Sequence, residues 1–183
     1  THNTSPARFT LDGTNDYLEA ASDYNITTAN ATFIAWIKRD GSQYTYTGIF
    51  FDSNSNAKGG MNFYAGTSKL GYHFLAPTMN QTWGWDSGLS ISDATWTMCA
   101  LTVNSTTVKA YTYTSSSTPS TATNSTTHNS ATFKNIRIGT YGGTYLTSRI
   151  FKGDIGHTLF YSSVLTDAEI TQIYNATKDT YSY

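Results

Sequence analysis

The chain has 183 residues, 11 Lys+Arg against 12 Asp+Glu, a formal net charge of −1 and 13% charged side chains, where an average domain carries about 25%. It holds 33 Thr, 20 Ser and 14 Tyr but only 2 Glu. That balance excludes an all-helical protein, which needs Glu, Lys, Ala and Leu for its exposed faces, and a nucleic-acid binder working through bulk charge.

Residues 1–7 read as a polar tail and 8–183 as one domain. Arg8-Phe9-Thr10-Leu11 alternates in polarity, Asp12-Gly13-Thr14-Asn15-Asp16 turns, and Tyr17-Leu18-Glu19-Ala20 forms a second short strand. Thr32 to Lys38 is apolar on both faces, with Phe33, Ala35 and Ile37 on one and Ile34 and Trp36 on the other, which predicts a central strand. Short strands follow at 48–51, 60–64 and 70–75, spaced by turn residues as in an antiparallel sandwich. Strong strands at 95–103 and 108–113 are joined by a hairpin at Asn104-Ser105-Thr106-Thr107.

Residues 114–130 are Ser/Thr/Asn-rich without apolar period, and predict a loop, hairpin tip or exposed edge. A strand resumes at 132–138, and 149–161 reads as a long or bent strand interrupted at Gly153 and Gly156. Thr166-Asp167-Ala168-Glu169 has the form of a capping box, with Ile170, Ile173 and Tyr174 as the apolar stripe behind it. The expected fold is all-β: a two-sheet antiparallel jelly-roll sandwich closed by one short C-terminal helix.

Several of these blocks resemble the laminin-G-like jelly roll of the concanavalin A-like lectin/glucanase sandwiches. They are Phe9 to Glu19, Phe33 to Lys38, Trp96 with the strand after it, Ile136-Arg137-Ile138-Gly139, and Phe151 to His157 followed by Phe160 to Ile170. The resemblance spans about residues 8 to 177, and the C-terminal block is its most specific part. It departs at His157, where members usually carry an acid, so any role tied to that acid is in doubt. The resemblance implies a module that binds glycans or proteins, or that builds surfaces, and fold alone does not choose among these.

Glycoside hydrolysis needs two carboxylates. Glu169 is explained by the cap, and Glu19 has Ala21 and Asp23 at i+2 and i+4 rather than a paired glutamate. No enzyme is expected. The four histidines are dispersed without zinc spacing, and Cys99 lies in an apolar run, as a structural thiol does. The resemblance also implies a possible structural Ca²⁺, for which Asp12, Asn15, Asp16 and Asp154 are the candidate ligands. The alternative is an Asx-rich turn capping its own backbone.

Trp83 and Trp85, flanking Gly84 in what reads as a loop, are the first candidates for stacking on a sugar. Tyr44 and Tyr46 come second, Tyr141 and Tyr145 third. The alternative for all six is packing or a protein interface. Asn3, Asn25, Asn30, Asn80, Asn104, Asn124 and Asn175 stand in Asn-X-Ser/Thr sequons, candidates for glycosylation.

No apolar run approaches the ~20 residues of a membrane span, and no signal peptide is visible. A start at Thr1 reads as removal of a leader after secretion. The expected setting is extracellular, on a cell or virion surface. The leading functional expectation is a non-enzymatic structural or adhesion module, a subunit of a filament, appendage or virion exterior. Its partners would be copies of itself or other surface proteins, with neither nucleic acid nor membrane insertion. The alternative is a lectin-like module recognising cell-surface glycans.

Overall fold

The computed structural model describes residues 6–22, 26–27, 30–52, 58–64, 68–76, 81–125, 132–141 and 148–181, with the backbone alone at 26, 58, 75, 76 and 81–83. In chain order the strands are β1 (Phe9–Asp12), β2 (Leu18–Glu19), β3 (Ile26–Thr27), β4 (Asn30–Arg39), β5 (Gly48–Asp52), β6 (Lys58–Phe63) and β7 (Lys69–Ala76), then β8 (Gln81–Ser90), β9 (Thr97–Asn104), β10 (Val108–Tyr113), β11 (Ser120–Asn124), β12 (Thr132–Phe133), β13 (Ile136–Ile138) and β14 (Lys152–Tyr161). One helix, α1 (Asp167–Thr177), runs into a 3-10 turn at Lys178–Thr180. The first sheet has the order β1-β14-β4-β9-β10-β11, the second β2-β13-β5-β6-β7-β8, and β3 pairs with β12 in a small separate ribbon. The pairings are antiparallel throughout the described strands, and the architecture is a jelly-roll sandwich.

β4 shows why the layers stack as they do. Its alternating side chains serve two cores. Phe33, Ala35 and Ile37 point between the sheets, where they meet Cys99, Leu101 and Val103 of β9 and Phe50, Met61, Tyr72 and Phe74 of the second sheet. Rings interlock there, Phe33 on Phe50 at 4.9 Å and Phe50 on Phe160 at 3.9 Å. Each such side chain contributes about 1.5–3 kcal/mol by leaving water. Burial also pushes the Cys99 thiol well above its ordinary range, which leaves it inert.

Ile34 and Trp36 point outward, with Met98, Ala100, Tyr111 and Tyr113, against Ile170 and Tyr174 of α1 and Tyr181 beyond it. Thr166 starts α1 as the sequence predicts: its Oγ1 accepts from the Glu169 amide at 3.3 Å, and its own amide donates to Glu169 Oε2 at 2.7 Å. That returning hydrogen bond holds the Glu169 carboxyl below its usual range.

The structure corrects some boundaries. The 132–138 strand divides at Asn135, whose φ is +44°, and its halves join different sheets. The closing strand begins at Lys152 and carries an irregular register between Ile155 and Thr158. Ser120–Asn124, inside the low-complexity stretch, is the exposed edge strand β11. Trp83-Gly84-Trp85 lies inside β8 and not in a loop. The alternation of a large residue with Gly84 there is strand parity, with Trp85 opposite Tyr72 and Gly84 opposite His73.

Candidate functional site

α1 packs on the outer face of the first sheet, whereas no described helix covers the outer face of the second. Register defines it. Phe50, Met61, Tyr72 and Trp85 stand opposite one another and look into the core. The next row, Phe51, Gly60, His73 and Gly84, therefore looks out. So does the row of Asn62, Gly71 and Asp86.

Glycines occupy the middle of three successive strands on this face, and at two of them close approach requires it. A Cβ at Gly71 would lie 2.8 Å from Asn62 Oδ1, the Trp85 carbonyl and Tyr64 Cβ. A Cβ at Gly84 would meet the Tyr64 ring at 3.1 Å and His73 Nδ1 at 3.5 Å. The glycines form a floor on which Tyr64, Asn62 and His73 rest.

Two connections bring rings over that floor. Between β4 and β5, Tyr46 sits at φ +60°, uncommon for a bulky residue. It is held there because the Thr47 amide and hydroxyl both donate to the Tyr44 carbonyl, at 3.2 and 2.8 Å. Beyond β13, the amides of Tyr141 and Gly48 both donate to the Arg149 carbonyl at 3.2 Å, which lays residues 140–141 against the start of β5.

The result is a cluster. Tyr141 stacks on Phe51 at 4.0 Å and meets the edge of His73 at 5.5 Å. Tyr46 lies 5.5 Å from Tyr64 and 6.0 Å from His73, both edge-on. The Arg149 guanidinium sits over Tyr141 at 4.3 Å and over Tyr46 at 5.0 Å, a cation held on two ring faces.

The electrostatics follow from this packing. Burial first, and the Arg149 charge second, push the His73 imidazole down to about 4, so it is neutral at pH 7. Burial, with Tyr46 and Asp86 adding, holds the Tyr64 hydroxyl above its ordinary value. Around the cluster the face thus offers ring surfaces, the Arg149 cation, the Asp86 carboxylate and neutral hydrogen-bonding groups, while Arg137 and Glu19 stand further along the Phe51 row and pair with each other at 3.1 Å.

The predicted ligand residues fall differently from expectation. Tyr46 and Tyr141 join the cluster, but Tyr141 is a buried support and not an exposed platform. Tyr44 is 55% exposed at the rim. Trp85 packs against the inner core, because its parity faces it away from this surface. Trp83 lies in β8 opposite Phe74, with its side chain outside the described residues, as Tyr145 is altogether. Sequence reasoning missed Asn62, Tyr64, His73, Thr140 and Arg149. The signal that would have found them is a glycine in mid-strand three strands running.

For the candidate calcium ligands, Asp12 Oδ1 accepts from the amides of Thr14 and Asn15 at 2.7 and 3.4 Å, and Asp16 accepts from the Asp12 amide at 3.2 Å. Asp154 pairs with Arg8 at 3.3 Å and accepts from the Thr10 hydroxyl at 2.6 Å. The donors in the turn cap their own backbone, as Asx turns do. No group of three or more His, Cys, Asp or Glu able to hold a metal ion occurs among the described residues.

Of the sequons, Asn30 and Asn175 are exposed and Asn104 and Asn124 half-buried, while Asn3, Asn25 and Asn80 lie outside the described residues. Asn104 Oδ1 accepts from the Thr106 and Thr107 amides at 2.9 and 2.8 Å in the hairpin. His157, where the family's acid was expected, donates its amide to the Tyr181 hydroxyl at 2.7 Å.

The two layers, the helix on one face and the open second sheet define a sandwich of the lectin type. The chain belongs to the concanavalin A-like lectin/glucanases superfamily, whose laminin-G-type family model matches residues 12–171. A search of curated protein sequences returns no significant match.

Solved structures share the fold at low identity. Domain 4 of the extracellular arabinanase AbnA of Geobacillus stearothermophilus, in complex with arabinotriose, is 18% identical with a TM-score of 0.67, covering 91% of this chain and 75% of that one. The carbohydrate-binding module CBM40 of the Ruminococcus gnavus IT-sialidase, bound to α2,3-sialyllactose, is 13% identical with a TM-score of 0.64, covering 93% and 99%. A putative carbohydrate-binding protein of Bacteroides ovatus is 14% identical with a TM-score of 0.61, covering 88% and 47%. No described helix is long and apolar enough to cross a membrane.

Proposed function

We propose that this chain is a non-catalytic carbohydrate-binding module of an extracellular or surface protein, and that it binds sugar on the outer face of the second sheet. The observation that carries the reading is the cluster of Tyr46, Tyr64, His73, Tyr141 and Arg149 above a floor of Gly60, Gly71 and Gly84. Aromatic faces beside a few fixed polar groups are the usual equipment of a small-ligand site.

Catalysis has less behind it. Glycoside hydrolysis uses a pair of carboxylates flanking the bond, and of the two that the register brings to this face among the described residues, Asp86 stands by the cluster on β8 and Glu19 at the opposite edge on β2. Glu19 is paired with Arg137 at 3.1 Å, and Glu169 closes the capping box. The filament, virion and adhesion reading rests on composition, with no comparable feature behind it. The glycan-binding alternative has both the face and the relatives.

The test is a glycan array followed by calorimetry on Tyr46→Ala and Tyr64→Ala. Affinity falls at least tenfold in each while the melt stays cooperative. Unchanged affinity in both variants would place sugar binding elsewhere.

A further inference from the structure

Asn62 stands at the centre of the face, in register between Gly48 on β5 and Gly71 on β7. It is fully buried, and neither its Oδ1 nor its Nδ2 has a hydrogen-bond partner among the described residues. His73 Nδ1 and the Oγ1 of Thr140, whose backbone lies over Gly48, are also unpartnered among the described residues. Protein interiors pair roughly nine in ten of their buried polar atoms. Four orphans on one face are therefore not an accident of packing. The face beneath α1 shows the contrast, since its Trp36, Tyr111, Tyr113 and Tyr181 polar atoms are all bonded.

Resting on the reading of this face as a sugar site, we infer that it takes a neutral sugar by two adjacent hydroxyls, and that Asn62 is the residue that selects them. A carboxamide sets one acceptor beside one donor. Two neighbouring hydroxyls, each able to give and to accept, complement both. A carboxylate accepts only and satisfies half of the pair. Thr140 and neutral His73 add groups of the same uncharged kind. Tyr64, half-exposed, lies over Gly71 beside Asn62 Oδ1, so its ring borders whatever reaches the amide. A site built to hydrogen-bond a hydroxyl rejects analogues that lack it, because its own buried groups are then left unpaired.

The experiment titrates the folded chain with arabinotriose, lactose and 3′-sialyllactose, and repeats the titrations on Asn62→Leu, Thr140→Val and Tyr64→Ala. Lactose or arabinotriose binds at least as tightly as sialyllactose. Asn62→Leu loses at least tenfold in affinity while its melting temperature holds or rises, because the apolar isostere removes orphan atoms without removing a bond. Thr140→Val loses a smaller factor in the same direction. Sialyllactose binding tenfold tighter than lactose overturns the inference in favour of a carboxylate on Arg149. So does an Asn62→Leu variant that melts lower and binds as before, which would mean the amide serves stability. Loss of binding in Tyr64→Ala alone overturns the inference and leaves the sugar-site reading standing. No binding of any probe removes both.

Discussion

The two outer faces of the sandwich are both aromatic, and they use their rings differently. On the first sheet, Trp36 stacks on Tyr181 at 4.5 Å and Tyr113 on Tyr174 at 4.6 Å, under a capped helix. Polar atoms there are tied off: Trp36 Nε1 donates to Thr177 at 2.9 Å, and the Tyr111 hydroxyl to Asp167 at 2.7 Å. On the second sheet the rings gather around a cation, a depressed histidine and unpartnered polar atoms. One face uses aromatic area for stability. On the proposed reading, the other gives up stability to keep binding groups available.

That contrast can be broken most decisively at Trp36. Trp36→Ala removes the centre of the covered face and should cost about 3–5 kcal/mol in urea unfolding, with sugar affinity of the folded protein unchanged. A cost below 1 kcal/mol would mean the helix is not integral to the sandwich.

Acid titration probes the other face. His73 takes a proton near 6.5 in an unfolded chain and near 4 in the fold. Below pH 6.5 the unfolded state therefore binds more protons. Stability falls as pH drops from 6.5 and levels off below 4, by about 3 kcal/mol in total. His73→Gln should flatten that part of the curve relative to wild type. An identical slope in both proteins would show that carboxylates carry it.

Gly71→Ala places a methyl against the Trp85 carbonyl, which cannot turn away, and should cost about 1–3 kcal/mol. It also displaces Tyr64 and Asn62, so sugar affinity falls with stability, unlike at Trp36. Smallest is Thr166→Ala, which opens the cap of α1 for about 1 kcal/mol and leaves binding alone, as a thermal melt and one titration will show.

Much of the fold is legible in the sequence because its signals are local. Apolarity on both faces of Thr32–Lys38 marks a central strand covered on each side, and β4 is that strand. Thr166 and Glu169 mark the helix start to the residue. The face is less legible because register assembles it. Tyr46, the Asn62–Tyr64 pair, His73, Tyr141 and Arg149 come from separate stretches of chain, and beyond that one i, i+2 pair their spacing does not say that they meet. Trp85 shows the converse error. A tryptophan beside a glycine suggests an exposed loop, whereas the glycine is the outward position of a strand and the tryptophan its inward one.

The strand order has a consequence for how the chain is made. β5, β6, β7 and β8 follow one another in sequence and pair in that order, so this meander can form from neighbouring segments. β14 instead lies between β1 and β4, pairing Ile155 with Phe9 and Phe160 with Phe33. Until it leaves the ribosome, β1 has no partner in the first sheet and β4 presents an unpaired edge. Such non-local closure is slow and exposes the chain to aggregation while it waits. Stop codons late in the message should therefore be harsher than early point changes in the meander: a chain ending before Lys152 keeps the aromatic cluster from Tyr46 to Arg149 and loses the strand that joins β1 to β4.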